Sequence, residues 1–297
     1  MNQTMDTQFN TIGLIGKSID PGIDPAIHKI NQYLQSKSIQ VLLDEHTSRH
    51  VSSIDLPVVS RVQLGQQCDL VIVVGGDGTM LNAARTLYDF EVPLVGVNMG
   101  RLGFLADISP AEFETRLDEI LQGEYEFENR FLLKTHIFRH GEEICSGVAL
   151  NDVVVHKWEV AHMIETDTYI DDLFVHTHRS DGIITATPTG STAYALSGGG
   201  PILHPGLNAL VIVPICPHTL SNRPIAIQSD SKIRIVLSET GRNRGQVTCD
   251  GKFIHELEIG DEVHIQSVEK QLCLLHPKEY DYFQILRAKL HWAEHPK

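Results

Sequence analysis

The chain has 297 residues, 42% of them hydrophobic and 21% charged, and a formal net charge of −14 at pH 7. That length holds about two domains of ordinary size with apolar side chains enough for their cores, which excludes a disordered chain. The acidic balance argues against nucleic acid or an anionic membrane as partner, because either selects a basic face. A small phosphate ligand stays open, since amides, a few Arg or Lys side chains and a divalent cation meet its charge locally.

The stretch MNQTMDTQFNTIGLIG has no basic segment leading into an apolar one, and no run of about 18 apolar residues occurs. The expectation is a soluble, unexported, cytoplasmic protein. Cys68, Cys145, Cys216, Cys249 and Cys273 form no CxxC pair and fit reduced thiols rather than a disulfide framework or zinc site.

The first predicted element is the strand TIGLIG. It runs into GLIGKS, which imitates a phosphate-binding P-loop, but Thr11 stands where that pattern requires its first glycine, so the reading is a plain strand end. No GxGxxG opens the helix predicted over 27–35. The strands QVLLDE and LVIVV follow, then a helix whose Met80, Leu81, Ala84, Leu87 and Tyr88 recur at helical spacing. Next come the strand VPLVGV and a helix over 110–121, completing a βαβ series. After Phe127 short alternating runs separated by turns predict an all-β domain: RFLLKTHIFRHGEEI, NDVVVHK, MIETDTYIDDLFVHTH, GIITATP, ALVIVP, SKIRIVLSE, QVTCDGKFI and DEVHIQSVE. A helix over 280–292, with Tyr282, Ile285, Leu286 and Leu290 on one side, is expected to pack back on the first domain. The fold expected is therefore a Rossmann-like α/β domain (1–126), a β-sandwich-like domain (127–276) and a returning C-terminal segment (277–297).

Four stretches carry chemistry. In VIVVGGDGTML a buried strand turns through glycines into a helix, so free amides face an anion while Asp77 repels one. Asp77 is then a base, is screened by a metal ion, or merely caps the helix as a turn residue. Asn98–Leu105, NMGRLGF and Leu, ends the next strand, and ligands collect outside the carboxyl ends of parallel strands, so the two loops are natural neighbours. There Phe104 stacks on a base or joins the core, and Arg101 meets phosphate or solvent. Asn151 and Asp152 suit a ribose or a base edge, or a turn. The run RSDGIITATPTGSTAYALSGGGPI offers Thr187, Thr189, Ser191 and Thr192 hydroxyls among glycines, a surface a ligand's backbone approach would use, with Asp181 and Tyr194 beside it. His162, His176 and His178 suggest a metal site, but alternation on an exposed strand explains the last two, and no metal ligand is assigned.

Together, GGDGT, NMGRLGF, ND before an apolar run, and DGIITATPTGSTAYALSGGGPI resemble the bacterial NAD kinases over nearly the whole chain. The resemblance implies transfer of the ATP γ-phosphoryl group to the 2′-hydroxyl of the adenosine ribose of NAD, with ATP as donor, a divalent cation, most naturally Mg²⁺, and self-association to a dimer or tetramer. By the same resemblance Asp77 is the base, and the NAD site comprises Asp77, Gly78, Phe104, Asn151, Asp152, His162, Arg179, Asp181, Thr192, Ala193, Tyr194, Ala195, Leu196, Ser197 and Lys252. Asp152 departs from the Glu of many members, and Lys252 from their Gln. A lipid kinase shares GGDGT but needs a membrane anchor, for which no basic amphipathic helix or lipidation signal is found. A non-catalytic NAD sensor would show the same pocket without turnover.

Overall fold

Continuous apolar runs become parallel strands in the first part of the chain. The computed structural model describes residues 9–17, 22–52, 54–100, 102–159, 162–219, 221–238 and 243–292. The chain divides into two units, one formed up to Asn129 together with Leu272 onward, the other from Arg130 to Gln271.

In the first unit β1 (Thr11–Gly16), α1 (Ile23–Ser36), β2 (Gln40–Asp44), α2 (Glu45–Ser48), β3 (Val58–Val59), α3 (Arg61–Gln67), β4 (Leu70–Val74), α4 (Asp77–Leu87), β5 (Leu94–Val97) and α5 (Phe113–Leu121) follow in order. The sheet order is β3-β2-β1-β4-β5, all parallel. All five residues of β4 are buried, as expected of a central parallel strand covered on both faces. α1 covers the sheet with Ile23, Ile27, Ile30 and Leu34, α4 with Met80, Ala83, Ala84 and Leu87, and α5 with Phe113, Leu117 and Ile120. The short α2 and α3 escape periodicity because each turns too few times to show it. α3 nevertheless carries a local signal, a capping box between Ser60 and Gln63. The chain leaves β1 for β2 and β3 and returns to the other side of β1 as β4, so the order reverses at the β1/β4 boundary.

The second unit is antiparallel. Its strands are β6 (Tyr125–Arg139, which starts in the first unit and enters the second at Arg130), β7 (Glu142–Ala149), β8 (Asp152–Lys157), β9 (Ile164–Ile170), β10 (Leu173–Ser180), β11 (Gly182–Ala186), then the short helix α6 (Tyr194–Ser197), β12 (Ala209–Ile215), β13 (Ile225–Gln228), β14 (Ile233–Leu237), β15 (Gly245–Cys249), β16 (Lys252–Leu257) and β17 (Glu262–Pro277, which leaves it after Gln271). One sheet runs β13-β12-β11-β8-β15-β16, and facing it lie β10, β9, β14 and the first part of β17, with β6 and β7. Leu133, Val153, Val155, Ile164, Ile183, Ile212, Ile235, Val247 and Val263 from both sheets share one core. The β9–β10 hairpin turns through Asp171 and Asp172, both with positive φ, the two-residue geometry that suits strand twist. β8, β11 and β12 are buried on their other face too, where Val154, Ile184, Val211 and Val213 lie under Ala195 and Leu203. Hence the continuous runs VVV, GIITA and LVIV. The last strand returns to the first unit, where Leu274 pairs in parallel with Leu94 of β5, and α7 (Tyr282–Leu290) buries Tyr282, Ile285 and Leu286. The molecule is thus an α/β domain, an antiparallel β domain and a final helix belonging with the first.

Candidate active site

The reversal of strand order in the first unit leaves a crevice at the carboxyl ends of β1 and β4. A cavity of about 610 Å³ opens there, lined by Gly16, Lys17, Arg61, Gly76, Gly78 and Thr79 among others. Ligands of open α/β sheets bind at such a point. α4 begins at Asp77 with Gly76 as its extended N-cap, and the first amides of a helix have no partner within it, so this turn suits an anion. Lys17 belongs to the GLIGKS stretch read as a plain strand end. It does end a strand, and its place beside the glycine loop follows from β1 and β4 being neighbours, which spacing alone does not reveal. Ser18 lies outside the described residues. Arg61 adds a guanidinium but also pairs with the buried Asp44, which divides its charge.

Asp77 does not cap α4, which has no side-chain cap bond; its carboxylate reaches a different loop. Its Oδ2 accepts the backbone N–H of Phe104 at 3.0 Å, and its Oδ1 accepts those of Leu105 at 3.0 Å and Ala106 at 3.4 Å. The GGDG turn and the NMGRLGF loop therefore meet through one carboxylate. Gly103 permits the meeting, because a Cβ there would stand 2.1 Å from Asp77 Oδ1. Oδ2 carries a single amide and keeps a lone-pair position for a substrate proton. Phe104 is half-buried, its ring 6.4 Å from that of Tyr282 with Lys289 Nζ over its face at 5.7 Å. Gly78 is exposed. Arg101 lies outside the described residues.

The second unit has its own cavity, about 510 Å³, lined by Asn151, Asp152, His156, Ala193, Tyr194 and Phe253 among others. It sits where β8 begins, opposite the β15–β16 turn. That turn, Asp250–Gly251, has positive φ at both residues, and Asp250 uses its carboxylate to accept the N–H groups of Leu150 at 3.1 Å, Asn151 at 2.7 Å and Asp152 at 3.3 Å. Asp152 is only 4% exposed. Burial, with the charge of Asp250 adding to it, pushes its carboxyl up to about 7. Near neutral pH the group is thus divided between donor and acceptor forms.

The hydroxyl-rich run is largely internal. Thr187 Oγ1 donates to the Leu150 carbonyl at 2.6 Å, Ser191 Oγ donates to Pro188 O at 2.6 Å and accepts from Leu203 N at 2.9 Å, and Thr189 Oγ1 accepts from Arg130 at 2.9 Å. Thr192 Oγ1 donates to the Thr189 carbonyl at 3.1 Å. Gly190 serves the chain rather than a ligand, since a Cβ there would lie 2.0 Å from the Asn151 carbonyl oxygen. These bonds fold the run over β8 and β11 and leave its far end to the cavity: Ala193 is half-buried and Tyr194 48% exposed at the rim. Ala195 is buried in the apolar cluster beneath, Leu196 is half-buried, and Ser197 is exposed.

The remaining sequence-derived residues lie elsewhere in the second unit. Lys252 is exposed beside the Asp250 turn. Asp181 stands at the opposite end of the sheet from Asp152, because Gly182 pairs with His156 and Ala186 with Asp152, and it forms an ion pair with Lys157 at 2.8 Å. Arg179 is exposed on β10, and His162 is exposed with Glu159 at 3.2 Å. His178 corrects the exposed-strand reading: β10 turns His178 and Ser180 inward, so His178 is 1% exposed against His176, and burial with His176 pushes it down to about 4. Among the described residues no three His, Cys, Asp or Glu side chains are gathered to hold a metal. Asp250 and Lys17 carry only weak signals in the sequence, a DG turn that pairs with the start of NDVVV and a lysine at a neighbouring strand end.

Family models for the ATP-NAD kinase N-terminal domain and C-terminal domain match residues 12–125 and 150–276. Among curated relatives, the NAD kinase of Teredinibacter turnerae is 48% identical, covering 97% of this chain and 98% of its own, and that of Aeromonas salmonicida is 47% identical, covering 97% and 99%. Of solved structures, an NAD kinase from Archaeoglobus fulgidus in complex with ATP matches with a TM-score of 0.73 at 26% identity, over 95% of this chain and 98% of that one. Yeast NADH kinase complexed with NADH matches with a TM-score of 0.89 at 24% identity, over 98% and 90%, a likeness of fold.

Proposed function

Given that the chain belongs to the ATP-NAD kinase family, we propose that it transfers the γ-phosphoryl group of ATP to the 2′-hydroxyl of the adenosine ribose of NAD, producing NADP, with Asp77 as the base. The observation that carries this reading is the Asp77 carboxylate at the first turn of α4, beside the switch-point cavity with an Oδ2 lone-pair position left. A hydroxyl nucleophile becomes competent as its proton leaves, and a positioned acceptor contributes about 10² to 10⁴ in rate. The amides of Gly76 and Gly78 with Lys17 suit the triphosphate. The cavity of Asn151, Asp152, Ala193 and Tyr194 suits the dinucleotide, the ring packing on a base and the carboxyl bonding ribose hydroxyls. His162, Arg179, Asp181 and Lys252 remain proposed NAD contacts on the family resemblance.

Mg²⁺ keeps water ligands and binds through substrate phosphates with one or two carboxylates, and a divalent cation entering with ATP is part of the proposal on the family resemblance. Self-association and a cytoplasmic place are part of the proposal on the family resemblance; no helix described is long and apolar enough to cross a membrane. The division at about residues 126 and 276 is proposed as the functional one, donor side first, NAD side second.

The experiment is incubation of the purified protein with NAD, ATP and Mg²⁺, and identification of the product by the position of its new phosphate. Formation of the 2′-phosphate is expected. NAD binding without product would establish the sensor instead, and phosphorylation of a lipid diol without NADP would establish a lipid kinase.

A further inference from the structure

The loop that Asp77 gathers is gripped a second time, one residue further on. Asp107 follows Ala106, and its Oδ2 lies 2.9 Å from Nδ1 of His276, near the end of β17. The other ring nitrogen, Nε2, lies 3.1 Å from Glu128 Oε2 on β6, and the Tyr280 ring stacks on the imidazole at 3.9 Å and 16°. His276 is 1% exposed and Asp107 8%. An ionised carboxylate only accepts hydrogen bonds, so a ring with a carboxylate on each nitrogen satisfies both only as imidazolium. A neutral ring sets one nitrogen lone pair against a carboxylate lone pair inside the protein, which is costly where water does not screen it.

We propose that His276, held as imidazolium between Asp107 and Glu128, is a positioning residue for phosphoryl transfer: it fixes one end of the Gly103–Asp107 loop while Asp77 fixes the other, so its proton sets the alignment of the Asp77 carboxylate. It touches neither substrate. Asp77 holds this run through the N–H groups of Phe104, Leu105 and Ala106 and His276 holds it through the Asp107 carboxylate, while Lys289 and Tyr282 touch only the Phe104 ring and backbone bonds join Gly103 N to Ala106 O and Ile108 N to Gly96 O. Burial pulls the imidazole downward, but the hydrogen bonds and charges of Asp107 and Glu128 outweigh it, and the ring titrates above the ordinary histidine value. The direction therefore leaves the clamp intact on the acid side and undoes it as pH rises through the raised value. Other charged groups line the adjacent cavity of about 160 Å³: Glu112, Glu279 and Asp281, with Arg116 engaged by Glu119 and Glu279. None of these replaces the missing proton at Nδ1 or Nε2. The proposal rests on Asp77 as the base.

Two measurements test it. In the wild-type enzyme, NMR of histidine nitrogens, with His276 assigned by the signal missing in His276→Gln, is expected to show both nitrogens protonated at about pH 7. The kcat profile from about pH 6 to about pH 9.5 is expected to fall about tenfold on its alkaline side, with KM for NAD and ATP changed less than about threefold. Asp107→Asn is the informative variant. Its carboxamide donates to an unprotonated Nδ1 while Nε2–H donates to Glu128, so the neutral ring is matched and the alkaline fall should disappear. A neutral His276 at about pH 7, or the same alkaline fall in Asp107→Asn, would overturn the proposal. Full activity in Asp77→Asn would instead remove the base assignment and leave the His276 signals and the Asp107→Asn profile where they are.

Discussion

Asp77 in the first unit and Asp250 in the second do the same thing to the backbone. Each carboxylate accepts three consecutive N–H groups, Oδ2 taking the first and Oδ1 the next two: Phe104, Leu105 and Ala106 in one case, Leu150, Asn151 and Asp152 in the other. The surroundings differ. Asp77 stands in the first turn of an eleven-residue helix, at a point where strand order reverses and a lysine and glycine amides line a cavity. Asp250 stands in a hairpin turn and faces another carboxylate, Asp152, which it helps push up. A three-amide cradle is therefore a way of fixing a loop, and chemistry comes from what else the cradle faces.

Gly103→Ala breaks the first cradle without touching the acid. Its Cβ would stand 2.1 Å from Asp77 Oδ1, so either the loop or the carboxylate moves by roughly an ångström, and kcat should fall about a hundredfold with the melting temperature little changed. Steady-state kinetics beside a thermal melt would show it. Asp250→Asn breaks the second. The amide presents a donor to one of the three N–H groups and leaves it unsatisfied, which costs about 1–3 kcal/mol, so denaturant midpoints should drop while kcat at saturating NAD stays within about threefold.

Asp152 separates the two regions by pH. Its carboxyl is raised from the ordinary 3.8 to about 7, so the folded state holds a proton that the unfolded state has released between those values. This group's contribution is then fully present below about pH 4 and declines as pH climbs through about 7. Asp152→Asn, neutral throughout, should flatten the stability profile over that window in chemical denaturation at a series of pH values; an unchanged slope would mean another group carries it. The smallest effect expected is that of Tyr194→Ala, where a ring packed on a base is worth about 1 kcal/mol, or roughly fivefold in KM for NAD. No change in KM would mean that the half-exposed ring faces elsewhere.

β4 shows itself in the sequence as an unbroken apolar run. The longer helices are legible because periodicity needs length: α4, α5 and α7 each show their apolar spacing over several residues. α2 and α3, of four and seven residues, do not. Asp77 stood out by its glycines, and the meeting of GGDG with NMGRLGF followed from a rule about strand ends. Lys17 and Asp250 did not stand out, since the first depends on which strands are neighbours and the second on a hairpin's partner. The buried hydroxyls of Thr187, Thr189 and Ser191 read as available to a ligand and are instead bonded within their own unit. Composition cannot tell a polar surface from a satisfied polar interior. His178 was misplaced for a related reason: alternation marks two faces of a strand but does not say which is covered.

The base assignment is tested most directly by the single-turnover rate of 2′-phosphorylation in Asp77→Asn, with the NAD dissociation constant measured on the same protein. Asparagine keeps one acceptor for Leu105 and Ala106 but turns an amide toward the Phe104 N–H, so some loosening of the loop accompanies the loss of charge. Asp77→Glu, which retains the carboxylate, controls for the charge. The account predicts a rate at least about a hundredfold lower in Asp77→Asn, with the dissociation constant within about tenfold of wild type. A near wild-type rate would contradict it and leave Asp77 with the role of Asp250, a carboxylate that only holds a loop.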